Sequence, residues 1–146
     1  MGGRTALPDG VVLGLDIGTV RTGVARGNTL VRLASPLMTM PMGDGFMTAL
    51  SQTVKDQQAL ALVLGLPRNL QGEDTQQTQF VRDFAKKIRA VVDLPLYFVD
   101  EALTSEKAER ELAARKKPFS KGDVDALAAC YIVEDALEGN YHAQEI

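Results

Sequence analysis

Val11-Val12-Leu13-Gly14-Leu15-Asp16-Ile17-Gly18-Thr19 reads as a buried strand that delivers one carboxylate and then turns. Small and β-branched apolar residues fill it up to Asp16, and a Gly-Thr pair follows at once. A carboxylate left unpaired where a central strand leaves the core is costly, so Asp16 is expected to hold a metal or face a phosphate. Two further acidic positions follow at element ends. Asp100-Glu101 comes after the apolar Leu96-Tyr97-Phe98-Val99, and Asp123 and Asp125 open the last helix. Three such positions in a chain with a single histidine point to metal-ion phosphate chemistry.

Outward from this strand, Thr22 to Arg26 and Leu30 to Met40 read as two more strands, joined by the Gly27-Asn28 turn signal. Asp44 to Gln57 has helical spacing at Phe46, Met47, Leu50 and Val54. Ala59 to Gly65 is a continuous apolar run, as expected for a strand covered on both faces. Thr75 to Val92 sets Phe80, Val81, Phe84, Ala85, Ile88 and Val91 on one helical face, and Leu96 to Val99 is a further strand. Thr104 or Ser105 is expected to cap a helix reaching about Arg115, and Asp123 to cap the last helix, which Gly139 stops. The order β-β-β-α-β-α-β-α-α predicts an α/β fold, a meander running into parallel crossovers, with helices on both faces. Its working crevice lies beyond the strand carboxyl ends, where Asp16, the Leu66 to Asn69 loop and Glu101 fall.

The 146 residues predict one domain, 1–146, with a core over about 11–138. Cys130 is the only cysteine and reads as a buried filler, which excludes a disulfide framework and a cysteine zinc site. His142 lies in the C-terminal tail, so a Ser-His-Asp mechanism has no credible base. No apolar run approaches the ~20 residues that span a bilayer. Residues 1–10 carry Arg4 without an apolar stretch behind it, so a cytoplasmic protein is expected. A net charge of −3 argues against bulk nucleic-acid binding. Local basic clusters at Arg21/Arg26/Arg32, Arg82 to Arg89 and Arg115 to Lys121 are open to reading as phosphate contacts or as solvated surface.

Each acidic position has a plainer reading beside the chemical one. Asp16 can bond local amides in a turn, Asp100-Glu101 can precede a helix cap, and Asp125 can be a favourable charge at a helix start. Asp16-Ile17-Gly18-Thr19 suits either a metal ligand or the first phosphate loop of sugar kinases and actin-like ATPases, with Gly18 letting backbone approach a phosphate. In Gly65-Leu66-Pro67-Arg68-Asn69, Arg68 can grip a phosphate and Asn69 can donate to one, or the segment is an ordinary loop.

Taken in order, four motifs resemble the YqgF family of bacterial Holliday junction resolvase-like proteins, also described as candidate pre-16S rRNA nucleases. They are Gly14-Leu15-Asp16-x-Gly18-Thr19-x-Arg21-x-Gly23, Gly65-Leu66-Pro67-x-Asn69-x-x-Gly72, Asp100-Glu101-x-Leu103-Thr104-Ser105 and Val124-Asp125-Ala126-Leu127-Ala128-Ala129. The resemblance implies a ribonuclease H-like fold with a mixed five-stranded sheet. It implies a divalent-metal site, Mg²⁺ or Mn²⁺, matching Asp16, Glu101 and Asp125. It also implies processing of the 5′ end of the small-subunit rRNA precursor, with cleavage leaving a 5′-phosphate. Ile17, Val20, Gln71, Ala102 and Asp123 depart from the residues common in that family.

The leading expectation is therefore a metal-dependent nuclease. Asp16 and Asp125 hold one ion and Glu101 completes a second site, while Gly18, Thr19 and Asn69 receive phosphate and Arg21 and Arg68 neutralise it. The partner is nucleic acid: pre-rRNA in the small ribosomal subunit pathway, or branched or single-stranded DNA. A monomer or weak homodimer and no membrane are expected. The alternatives are a Holliday junction resolvase or other DNA nuclease, an actin-like ATPase or phosphotransferase, and a non-catalytic rRNA-binding assembly factor.

Overall fold

Alternate residues of β1 (Val11–Ile17) feed two different cores, because successive side chains of a strand point to opposite faces. Val12 joins one cluster, and Leu13, Leu15 and Ile17 join the other. The computed structural model describes residues 6–101 and 104–143, without the side chains of Thr104 and Ser105. The cap expected at Thr104 or Ser105, and the departure at Ala102, lie outside the described residues.

β2 (Arg21–Asn28) pairs antiparallel with β1, and β3 (Leu33–Pro41) antiparallel with β2. β4 (Ala61–Pro67) and β5 (Leu96–Glu101) extend the sheet in parallel on the other side of β1. The sheet is mixed, as expected, but has six strands rather than five, in the order β3-β2-β1-β4-β5-β6. The added β6 (His142–Ala143) pairs with Tyr97 and Phe98. Two residues carry too little pattern to be read as a strand, and only the exposed edge of β5 makes them one.

α1 (Phe46–Gln57) and α2 (Gln76–Arg89) cover one face through Phe46, Leu50, Val81, Ala85 and Ile88. α3 (Thr104–Ala114) and α4 (Lys121–Leu137) belong to the other. α4 is buried almost all round, with Ala126, Ala128, Ala129 and Cys130 keeping it slim against β1, β2 and β3. Gly23 completes this close fit, because a Cβ there would collide with the carbonyl of Asp125. Thr39 of β3 ties the start of α4 down, its hydroxyl donating to the Gly122 carbonyl at 2.9 Å.

The cap of α4 differs from expectation. Ser120 is the N-cap and accepts from the Asp123 N–H at 3.1 Å, while Asp123 accepts from the Ser120 N–H at 2.9 Å. Asp123 is thus the third residue of a capping box rather than the cap itself. Gly139 follows the helix with a φ of 94°, as its stop position requires. Among the described residues, no helix is long and apolar enough to cross a membrane.

Candidate active site at the carboxyl end of the central strands

Asp16 and Gly23 are directly paired across β1 and β2. Paired residues share a face, so the bare backbone of Gly23 lies beside the Asp16 side chain. α4 settles onto that bare position with the backbone of Asp125. Residues 109 apart in sequence are thereby brought together at the carboxyl end of β1. Burial, and then the negative charge of Asp125, push the Asp16 carboxyl up from 3.8 to about 6. Burial also raises Asp125, against the opposing pull of Arg21. The Arg21 Nε lies against Asp125 Oδ2 as an ion pair.

Glu101 approaches from β5, two strands from β1, which is ~10 Å of backbone. On β4 between them, Gly65 leaves room for Ile132 of α4, with which a Cβ there would collide, while the Cγ of Glu101 lies at ordinary contact distance, 3.9 Å, from the same point. Glu101 forms a side-chain hydrogen bond with Asp135 of α4. Its carboxyl is pushed up to about 8, first by burial, then by the Asp135 hydrogen bond and charge, with Lys107 opposing and Asp16 adding. Asp135 is not among the residues expected at the site: it lies near the end of the last helix, beside Glu134, far from the helix start where Asp123 and Asp125 stand. Ten residues at ~3.6 per turn fall about 80° short of three whole turns, so its spacing from Asp125 carries no sharp signal.

The remaining expected residues divide. Gly18 ends β1 in a tight turn, where a Cβ would come within 2.6 Å of the Arg21 carbonyl oxygen. Thr19 is exposed at that turn. Asp100 has the opposite strand parity to Glu101 and faces Arg68, whose Nε lies 3.5 Å from Asp100 and 3.4 Å from Asp74. Asn69 is occupied within its own loop. Its Oδ1 accepts from the N–H groups of Gln71 and Glu73, and its Nδ2 donates to Glu73 Oε1. The structure thus sets Asp125 beside Asp16 and against Arg21, leaves Glu101 within reach of the Asp16 charge, and puts Arg68 and Asn69 at the end of β4 and in the loop that follows it.

Among the described residues, no three His, Cys, Asp or Glu side chains converge closely enough to hold a cation as they stand. The donor set nevertheless suits a hard divalent ion. It is all oxygen, and ionised Asp16, buried beside another carboxylate, gains directly from a cation.

The model of the RuvX family, described as Holliday junction resolvase, matches residues 10–139. A protein of Paracoccus denitrificans named "Putative pre-16S rRNA nuclease" is 40% identical over 141 residues, covering 91% of this chain and 87% of that one. A protein of the same name from Thiobacillus denitrificans is 37% identical over 140 residues, covering 92% and 95%. Among solved structures, Thermus thermophilus RuvC in complex with a Holliday junction substrate superposes with a TM-score of 0.55 at 15% identity, covering 91% of this chain and 99% of that one. At that identity the likeness speaks for the fold, an α/β ribonuclease H-like sheet. With its motifs, its fold and its relatives in agreement, this chain belongs to the RuvX/YqgF family of Holliday junction resolvase-like proteins.

Proposed function

We propose that this chain is a divalent-metal-dependent nuclease, acting in the cytoplasm on the 5′ end of pre-16S rRNA. The names of its relatives support the substrate, and the raised carboxyls of Asp16, Asp125 and Glu101, with Asp16 feeling the charge of Asp125 and Glu101 that of Asp16, support the chemistry. Asp16 and Asp125 would hold one Mg²⁺ or Mn²⁺, and Glu101 would join once released from Asp135. A bound ion supplies Lewis-acid stabilisation of the phosphodiester and a more acidic attacking water.

The chain's own residues do the rest. Burial keeps Asp16 in a low-dielectric site, where a cation or phosphate contact counts for more than in water. Arg21 balances Asp125 in an ion pair, and its guanidinium would neutralise a substrate phosphate beside that carboxylate. The turn at Gly18 and Thr19 offers backbone to the same phosphate, and Arg68 extends the basic track along the loop after β4.

The test is cleavage of pre-rRNA, single-stranded DNA and a four-way junction side by side, with Mg²⁺ or Mn²⁺, by wild type and Asp16→Asn. Metal-dependent cutting of pre-rRNA that the variant loses is the expected result. Preferred cutting of the junction would move the chain to resolvase chemistry, which needs a symmetric pair of sites. Binding without cutting would make it an assembly factor.

A further inference from the structure

On the other side of the first turns of α4 from Asp125 lies a cleft of about 300 Å³. Leu112 of α3 and Leu127 of α4 form its buried back wall. Pro118 and Phe119 form its mouth, and Phe119 keeps 42% of its surface exposed. The chain reaches this arrangement through Lys116, whose φ of 58° ends α3 sharply. The rim is cationic: Arg115 and Lys117 line it, within a segment that places Arg115, Lys116, Lys117 and Lys121 together in a chain of net charge −3. Asp123 also borders the cleft, but its carboxylate is engaged in the capping box of α4. Arg115 makes an exposed ion pair with Glu111, a contact of little net strength that a phosphate can displace.

An apolar slot floored by leucine, fronted by an exposed aromatic ring and rimmed by cations is complementary to one kind of group, a nucleobase on its phosphodiester backbone. We propose that this cleft is a base-stacking subsite for the single-stranded part of the substrate. One base lies against Phe119, and the flanking phosphates meet Arg115 and Lys117. This rests on the reading of the chain as acting on nucleic acid. A helix is about 10 Å thick, so a strand held in a cleft on the far side of α4 would need only a few nucleotides to reach Asp125. The subsite supplies a grip away from the reacting bond and selects unpaired over paired substrate, because bases inside a duplex are already stacked.

The test measures binding without metal, by fluorescence anisotropy, with full-length protein carrying Asp16→Asn so that no strand is cut. The probes are a labelled mixed-sequence RNA strand, the same strand with an abasic site stepped along it, and an RNA duplex. Phe119→Ala is expected to weaken strand binding by roughly five- to a hundredfold, Phe119→Tyr to restore it, and duplex binding to be unchanged. One abasic position should give the same loss, with no further loss when combined with Phe119→Ala. Lys117→Ala, which leaves the aromatic ring in place, should lower the log–log salt slope by about 0.7. The proposal is overturned if Phe119→Ala binds the strand as tightly as its parent, or weakens strand and duplex alike. Failure of the nuclease reading is seen separately, as wild type that does not cut under metal.

Discussion

Asp16→Asn should do two things that rarely go together: abolish activity and stabilise the metal-free protein. Its carboxyl sits at about 6 instead of 3.8, which corresponds to about 3 kcal/mol against the ionised folded state. A carboxyl raised on folding withdraws stability as pH rises. The loss begins near the unfolded value of 3.8 and is complete above about 6. Asparagine keeps the shape and never ionises, although its amide sets about 1 kcal/mol of unmade hydrogen bonding against the gain. The net expectation is about 1–2 kcal/mol at about pH 8, or roughly 3–8 °C in the thermal midpoint of a chain this size, shrinking toward zero at about pH 4. Adding Mn²⁺ at a hundred times its Kd should reverse the order, since wild type gains about 2.7 kcal/mol and the variant little. Thermal melts at the two pH values, with and without Mn²⁺, read all of this. Equal midpoints at both pH values, or equal metal stabilisation of both proteins, would refute Asp16 as a buried carboxylate that holds the ion.

Asp135→Asn removes the charge beside Glu101 and should lower the carboxyl now at about 8, moving the rising limb of the pH–rate profile to lower pH; an unmoved limb would disconnect Asp135 from the site. Gly23→Ala forces a Cβ into the Asp125 carbonyl, so it should cost about 1–3 kcal/mol in denaturant unfolding and lower activity by displacing the head of α4. Ser120→Ala should cost about 1 kcal/mol. Asp123→Asn, which can still accept from the Ser120 N–H, should fold and cut nearly as wild type, and the reverse pattern would mean that the capping box is misread. Arg68→Ala should lower the log–log salt slope of strand binding by about 0.7. An unchanged slope would leave Arg68 as a brace between Asp74 and Asp100.

The elements were largely legible because each rests on local pattern. The apolar run around Ala61 to Leu64 could only be a doubly covered strand, and the helix from Thr75 has a continuous apolar face. Ser120 against Asp123 was not decidable in this way, since both are good capping residues and only backbone geometry tells the cap from its partner three positions on. The site divides along the same line. That Asp16 would stand exposed to chemistry followed from its place at the end of an apolar strand. That Asp125 would meet it depended on Gly23, a residue with no side chain to advertise its role. That α4 could lie so close over β4 depended likewise on Gly65, which leaves room for Ile132. The pairing of Arg21 with Asp125 and of Glu101 with Asp135 spans 104 and 34 residues. No local pattern encodes such contacts, because they arise only when the glycine-floored sheet lets α4 come down onto it.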